Sequence, residues 1–356
     1  MYFNVLALSK IVLFFIAVTL TACEEQAVTD TLASGIIENR VFTTTVLIDG
    51  HRYDGTVIRN CTFENIDGDG LQLRDVDNLR IENCTFRNIG EDAIRFRNSG
   101  ISDGVQIIDN EIYNIKQNGI LAPEGHVNTI IRGNIIYNVA TDNTSSRFGA
   151  PHHGIYFQGF DVTITENTIY NVRNDNGNCI SIRTYGTISK NRLYAATDHG
   201  ISYFSDHPGE GKQLLIENNL IYDNGKRGIN LASNGNTTNH IGSAWVRFNT
   251  IISSEQSPVG INEGLTRATF DIEANILIRT DGKSTFVFAN LPIGQVYNVT
   301  GFGDIGFVDF ADRELNIVAN STANNAAVGI TDYPVTDFAG INRQAVGLDA
   351  GAYALE

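Results

Sequence analysis

IIDNEIYNI (107–115), IRGNIIYNV (131–139) and ITENTIYNV (164–172) are one phrase written three times. An aliphatic residue opens it, a polar residue follows three positions later, and Ile, Tyr and Asn come next. IENCTFRNI (81–89), ISKNRLYAA (188–196) and IENNLIYDN (216–224) repeat it more loosely. The fixed polar position runs Cys61, Cys84, Asn110, Asn134, Asn167, Asn191, Asn219, Asn249, Asn275, in steps of 23 to 33 residues. Self-similarity with a variable period above a floor means a coil of constant girth that lets out loops at its corners. Within each unit, apolar residues alternate over short runs, as half-buried strands require. Helical periodicity is absent. The chain reads as an all-β solenoid.

This pattern resembles the right-handed parallel β-helix of pectate lyase-like proteins, over roughly residues 40 to 290. The resemblance implies a single-stranded right-handed parallel β-helix of about nine to ten coils with capped ends. The polar column would then be an internal amide ladder, each side chain bonding its neighbours one coil spacing away. Asn218, one residue off that column, is expected to face solvent. Cys61 and Cys84 take the first two rungs; side chains stacked in register suit a disulfide poorly, so two free thiols are expected. Tyr113, Tyr137, Tyr170, Tyr194 and Tyr222 should stack in an outward column. After about residue 290 the repeat fades, and residues 291–356 are expected to be a tail that covers the open end of the solenoid.

The N-terminus ends an apolar run in Leu20-Thr21-Ala22-Cys23. This resembles a bacterial lipobox, which implies a signal peptide over 1–22, lipidation of Cys23, a linker over 23–40 and an outer-membrane anchor. A net charge of −15 argues against a nucleic-acid partner. With four cysteines there is no pair at zinc spacing. No clustered acidic set stands out for Ca²⁺, so no cofactor is assigned. A monomer acting on an acidic polysaccharide is the expectation.

A second motif recurs in each coil: DGLQLR, DAIRFR, NGILAP, HGIYFQ, NCISIR, HGISYF and RGINLA. Its small residue, Gly70, Ala93, Gly119, Gly154, Cys179, Gly200 or Gly228, marks a tight corner. The polar residue before it forms a column: Asp69, Asp92, Asn118, His153, Asn178, His199, Arg227. Turn chemistry asks for Asn or Asp there, and the change to histidine in the central coils is not required by it. Five of the seven histidines fall between positions 126 and 207. Outward positions on the adjoining strands supply Arg95, Arg97, Tyr156, Gln158 and Arg183. The insertion TDNTSSRFGAPHHG, which ends with His152 and His153, should wall a groove.

Three chemistries compete on this fold. Glycoside hydrolysis needs two carboxylates about 5 to 10 Å apart. The stretch from Gly177 to Gly200 resembles the polygalacturonase pattern, but Gly177 and Asn178 replace its paired aspartates, leaving Asp198 and Glu124 with no evident pairing. APHHG resembles the Asp-Pro-His element of mannuronan epimerases, with Ala150 in place of the aspartate. β-Elimination needs a carboxylate neutraliser, a base for the C5 proton and an acid for the departing O4, which Arg, Asn, His and Tyr can supply. It fits best. Arg183 and Asn178 would hold the uronate carboxylate, His153 or His199 would take the proton, and Tyr156 would be the acid. Arg95, Arg97, His152, Gln158, Lys226 and Arg227 would bind flanking sugars.

Overall fold

A computed structural model describes residues 34–142, 151–233, 241–262, 264–344 and 347–355. Cys23, the segment 1–22 and most of the 23–40 linker lie outside these residues, as do 143–150 of the long insertion.

Each repeat contributes three short strands, and equivalent strands of successive repeats pair in parallel. The first sheet runs from Ile36–Glu38 to Gly294–Val296 and has 11 strands; the second, from Val41–Phe42 to Val299–Gly301, also has 11. The third has ten, from Val46–Asp49 to Val287–Ala289, which makes ten complete coils. Pairing is in register: Ile112 meets Ile136, Tyr113 meets Tyr137, and Ile120 meets Ile155. Like residues therefore stack on like. Inward aliphatic and Phe side chains fill one continuous core along the axis. The tyrosine column stacks at ring separations of 4.8 to 5.1 Å.

The corner between the first and second sheets takes two residues. The first is left-handed, at φ 51° for Asn83, 54° for Asp109 and 55° for Asn218. Asn and Asp tolerate that conformation better than other side-chain-bearing residues. The second residue is the ladder position. Asn110 donates from its backbone N–H (3.0 Å) and from Nδ2 (2.9 Å) to Oδ1 of Asn134, and from Nδ2 to the carbonyl of Ile81 behind it (3.0 Å). The same pattern continues through Asn167, Asn191, Asn219, Asn249 and Asn275 to Asn298, one rung beyond the series evident in the repeat. Cys61 and Cys84 are buried free thiols. Each donates to a carbonyl two residues back, Arg59 and Glu82 respectively, both at 3.3 Å.

Two expectations need correction. The tail, expected to cover the open end of the solenoid, first adds the last strands of two sheets, Gly294–Val296 and Val299–Gly301, and then leaves the end. Residues 307–344 and 347–353 lie along the flank, where the second sheet turns Leu220, Tyr222, Ile252, Ile276 and Ile278 outward. Phe307, Leu315, Ile317, Ala323, Leu348 and Tyr353 cover them in a second apolar core. An outward face with this much apolar surface demands a cover more than the end does. Asn218, in turn, is buried beneath that tail rather than facing solvent. Its Nδ2 donates to the Thr336 carbonyl (2.9 Å) and its Oδ1 accepts from Arg343 Nη2 (2.8 Å).

Replacing a rung leaves buried amide partners unsatisfied, at about 1 to 3 kcal/mol each. Asn167→Leu and Asn191→Leu should lower the urea midpoint clearly. Asn218→Leu should do so as well, because Arg343 and the Thr336 carbonyl lose their partner. A midpoint unchanged by Asn218→Leu would mean that the tail is not docked there in solution.

Candidate functional site

The corner that leads into the third sheet carries a second ladder. Its rungs are the polar column that includes the central histidines. The backbone N–H of Asp92 donates to Asp69 Oδ1 (3.0 Å), that of Asn118 to Asp92 Oδ1 (3.0 Å) and that of His153 to Asn118 Oδ1 (2.7 Å). Asn178 N–H then donates to His153 Nδ1 (3.1 Å), His199 N–H to Asn178 Oδ1 (3.0 Å) and Arg227 N–H to His199 Nδ1 (3.0 Å). A histidine fits this column because its Nδ1 stands where Oδ1 of Asn or Asp would. The small residue beside it keeps the corner tight: Ala93 and Cys179 fit in their coils, whereas a Cβ on Gly154 would lie 2.5 Å from the Cys179 carbonyl oxygen.

This geometry fixes the tautomer. An Nδ1 that accepts a backbone N–H has its lone pair engaged, so the proton sits on Nε2. Burial keeps both rings neutral. His199 is lowered to about 4, and His153 falls well below the ordinary imidazole value, first through burial and then through the Arg183 charge. His199 Nε2 lies 3.3 Å from Asp198 Oδ1, which also pairs with Lys226 Nζ at 2.9 Å. The two imidazoles sit on one column as the repeat implied, but neither offers a free lone pair for the C5 proton. His126 is a further corner histidine with the same kind of duty: Nδ1 accepts Ser102 N–H (3.1 Å) and burial lowers it to about 4.

Arg183 is also differently placed from the solvent-facing position expected. It is buried, its guanidinium lies over the Tyr156 ring at 4.8 Å and the Phe204 ring at 4.7 Å, and Nε sits 2.7 Å from Asp206 Oδ2. Its charge is thereby already paired. The remaining predicted residues are spread along the face. Arg97 Nη1 donates to Gln72 Oε1 (2.9 Å), Gln158 Oε1 meets His207 Nε2 (3.2 Å), and Arg227 Nε donates to Ser257 Oγ (3.2 Å).

What does converge is a cleft of about 200 Å³ over the third, fourth and fifth coils. Arg95, Gln117, Asn118, His152, Tyr156 and Gln158 line it, with Leu121, Pro123 and Pro151 as its apolar surface. Arg95 is almost wholly buried. Its Nη1 lies 3.3 Å from Asp92 and 3.8 Å from Asp69, while Nε has no hydrogen-bond partner. Asp92 is raised to about 7, mainly by burial and then by the Asp69 charge. No carboxylate is among the described residues lining the cleft. Gln117 was not singled out from the sequence, nor was the buried Asp69–Asp92–Arg95 group. Asp69 and Asp92 read there as ordinary turn residues, and only their depth distinguishes them. At the N-terminal coils, outside this cleft, exposed His51 and Asp54 come together with Asp77, their ligand-type atoms within 4.8 Å of one another.

The depressed imidazoles carry a pH signature. Between the lowered folded value and the ordinary 6.5, the unfolded chain binds protons that folded His199 refuses, so stability is lost as pH falls through that window. Asp92 acts oppositely, losing stability as pH rises from 3.8 towards about 7. His199→Asn keeps an acceptor in the ladder and removes the imidazole. Urea unfolding at neutral and at mildly acid pH should show the acid-induced loss reduced by about 2 kcal/mol in this variant. An unreduced loss would place His199 outside the ladder.

The pattern of the right handed beta helix region matches residues 44–104 and 100–277. Among solved structures, pectate lyase Pel9A superposes with a TM-score of 0.61 at 11% identity, covering 92% of this chain and 86% of its own. The structure of XylC with xylose gives 0.53 at 13% identity, covering 87% of this chain and 65% of its own. At such identities the likeness is one of fold. A sequence search against curated proteins finds no match. With its repeat matched over most of its length and its strands coiled as that pattern requires, the chain belongs to the right-handed β-helix family.

Proposed function

We propose that this protein is a polysaccharide lyase that binds a uronate-containing polysaccharide in the third-sheet cleft and cleaves it by β-elimination. The observation that carries this reading is the meeting of a buried guanidinium, an imidazole and a phenol in one cleft whose described lining holds no carboxylate. Hydrolysis by paired acids has no groups to use there. Elimination has all it needs. The amides of Gln117 and Gln158 hold the uronate carboxylate, and the Arg95 charge beside them, shared with Asp92 and Asp69, helps to acidify C5–H. His152 takes that proton, the C5 electron pair forms the C4=C5 double bond, and the C4–O4 bond breaks with Tyr156 protonating the leaving oxygen. His153, Asn178 and His199 serve this chemistry indirectly, by holding the corner from which His152 projects. Pel9A, which shares this fold, is a pectate lyase, which agrees with the class of reaction.

The test is a panel of uronate polymers read by ultraviolet absorbance of the new double bond. On the polymer that responds, His152→Ala and Tyr156→Phe should each lower turnover by a factor on the order of 10² or more with the thermal midpoint intact. Arg95→Ala should lower kcat and kcat/KM together, because the charge it removes acts as C5–H ionises. New reducing ends without absorbance would replace the lyase with a hydrolase, and binding without either would make the chain a glycan-binding module. We also propose that lipidated Cys23 holds the enzyme at the outer membrane. Cys23→Ala should move it from the membrane fraction to the soluble or unprocessed pool, and an unmodified N-terminus elsewhere would refute the anchor.

A further inference from the structure

Outward residues of the third sheet form one column in register: Arg95, Leu121, Tyr156, Ser181, Ser202 and Asn230. An open groove running the length of this sheet would leave all of them accessible. Ser181 and Ser202 are nevertheless 0% exposed, although their strands turn them away from the core. Their cover begins with Arg183, which folds back so that Nη1 donates to Ser181 Oγ (2.8 Å). The guanidinium is gripped between the rings of Tyr156 and Phe204 and paired with Asp206. The next residue, His207, ties this cover to the cleft coils: Nε2 meets Gln158 Oε1 (3.2 Å) and Nδ1 lies 3.3 Å from Glu124 Oε2. The face is thus divided. The cleft proposed above ends at Tyr156, and a separate depression of about 220 Å³, lined by Arg227, Asn230, Gly260 and Phe288 among others, begins beyond the cover.

We propose that Arg183, Phe204 and Asp206 form a dam that closes one end of the cleft, so that the cleft receives a chain terminus and the enzyme releases short products from that end. The proposal rests on the lyase reading and adds its mode of action. A polymer lying across both depressions would have to displace a buried cation that is ion-paired, stacked on two rings and bonded to a buried hydroxyl. A terminus needs no such displacement. The dam also gives Arg183 its role: its charge goes to Asp206, and its side chain is a specificity-determining block rather than a holder of the substrate carboxylate.

The experiment follows product size against bonds broken, on the polymer that yields ultraviolet absorbance, for wild type, Phe204→Ala and the milder Asp206→Asn. Wild type should release unsaturated mono- or disaccharides from the first turnovers while the remaining polymer keeps its length. Phe204→Ala should shift early products towards mixed, longer oligosaccharides, with Asp206→Asn shifting them in the same direction. Mixed lengths from wild type at the outset would overturn the dam while leaving the lyase intact. So would a folded Phe204→Ala with an unaltered profile. Absence of absorbance with every uronate polymer would remove the lyase reading, and the dam proposal with it. Should a variant fail to fold, the wild-type profile alone decides.

Discussion

A backbone N–H that donates to the side chain one coil away is the bond on which this molecule depends. A strand pairs with its neighbours throughout its length, but a corner leaves N–H groups without a ladder partner, and in a solenoid the corners are buried. Two columns of side chains supply the missing acceptors, one at the turn into the second sheet and one at the turn into the third. Because coils stack in register, one solution serves every coil, provided each supplies an acceptor at the same distance from its backbone. Asn, Asp and the Nδ1 of His all do. The first column uses asparagine almost throughout and the second uses the full set.

That economy explains what was legible in the sequence. The asparagine column, the tyrosine column and the tight small-residue corners are periodic, and periodicity survives any loop length between the repeats. The tail was harder. Its partners are Leu220, Ile252, Ile276 and Ile278, whose outward positions look in sequence like ordinary strand residues, and no repeat marks the residues that cover them. Asn218 shows the same limit: its place next to the ladder was clear, and its burial depends on Arg343, 125 residues away.

The site was legible in location but not in role. The shift from Asp and Asn to His in the second column falls in the coils beside which the candidate cleft lies. It was a weak signal of chemistry, because an imidazole that serves as a rung has already committed its lone pair. Arg183 was likewise found on the right face, and the acidic partner that claims its charge, Asp206, lies in a loop whose path a repeat cannot reveal. Asp92 carries the opposite lesson: an acid that reads as a turn residue becomes, two rungs from His153 and beside Arg95, a group poised to titrate near neutrality.

Taken together, the ladders constrain where chemistry can sit on such a solenoid. A residue on a rung is spent on structure, whatever its type, and one on an inward strand position is spent on the core. Only residues one step off a rung, or outward on a strand and not yet paired, keep atoms free for a ligand. On the third sheet that restriction leaves Gln117, beside the rung Asn118, while His152 lies beside the rung His153 and lines the same cleft. On the strands it leaves Tyr156, with Arg95, buried and ion-paired to Asp92, lining the same cleft. These four meet in the same cleft. The candidate site is therefore what remains of the central coils once every backbone N–H at their corners has been given an acceptor.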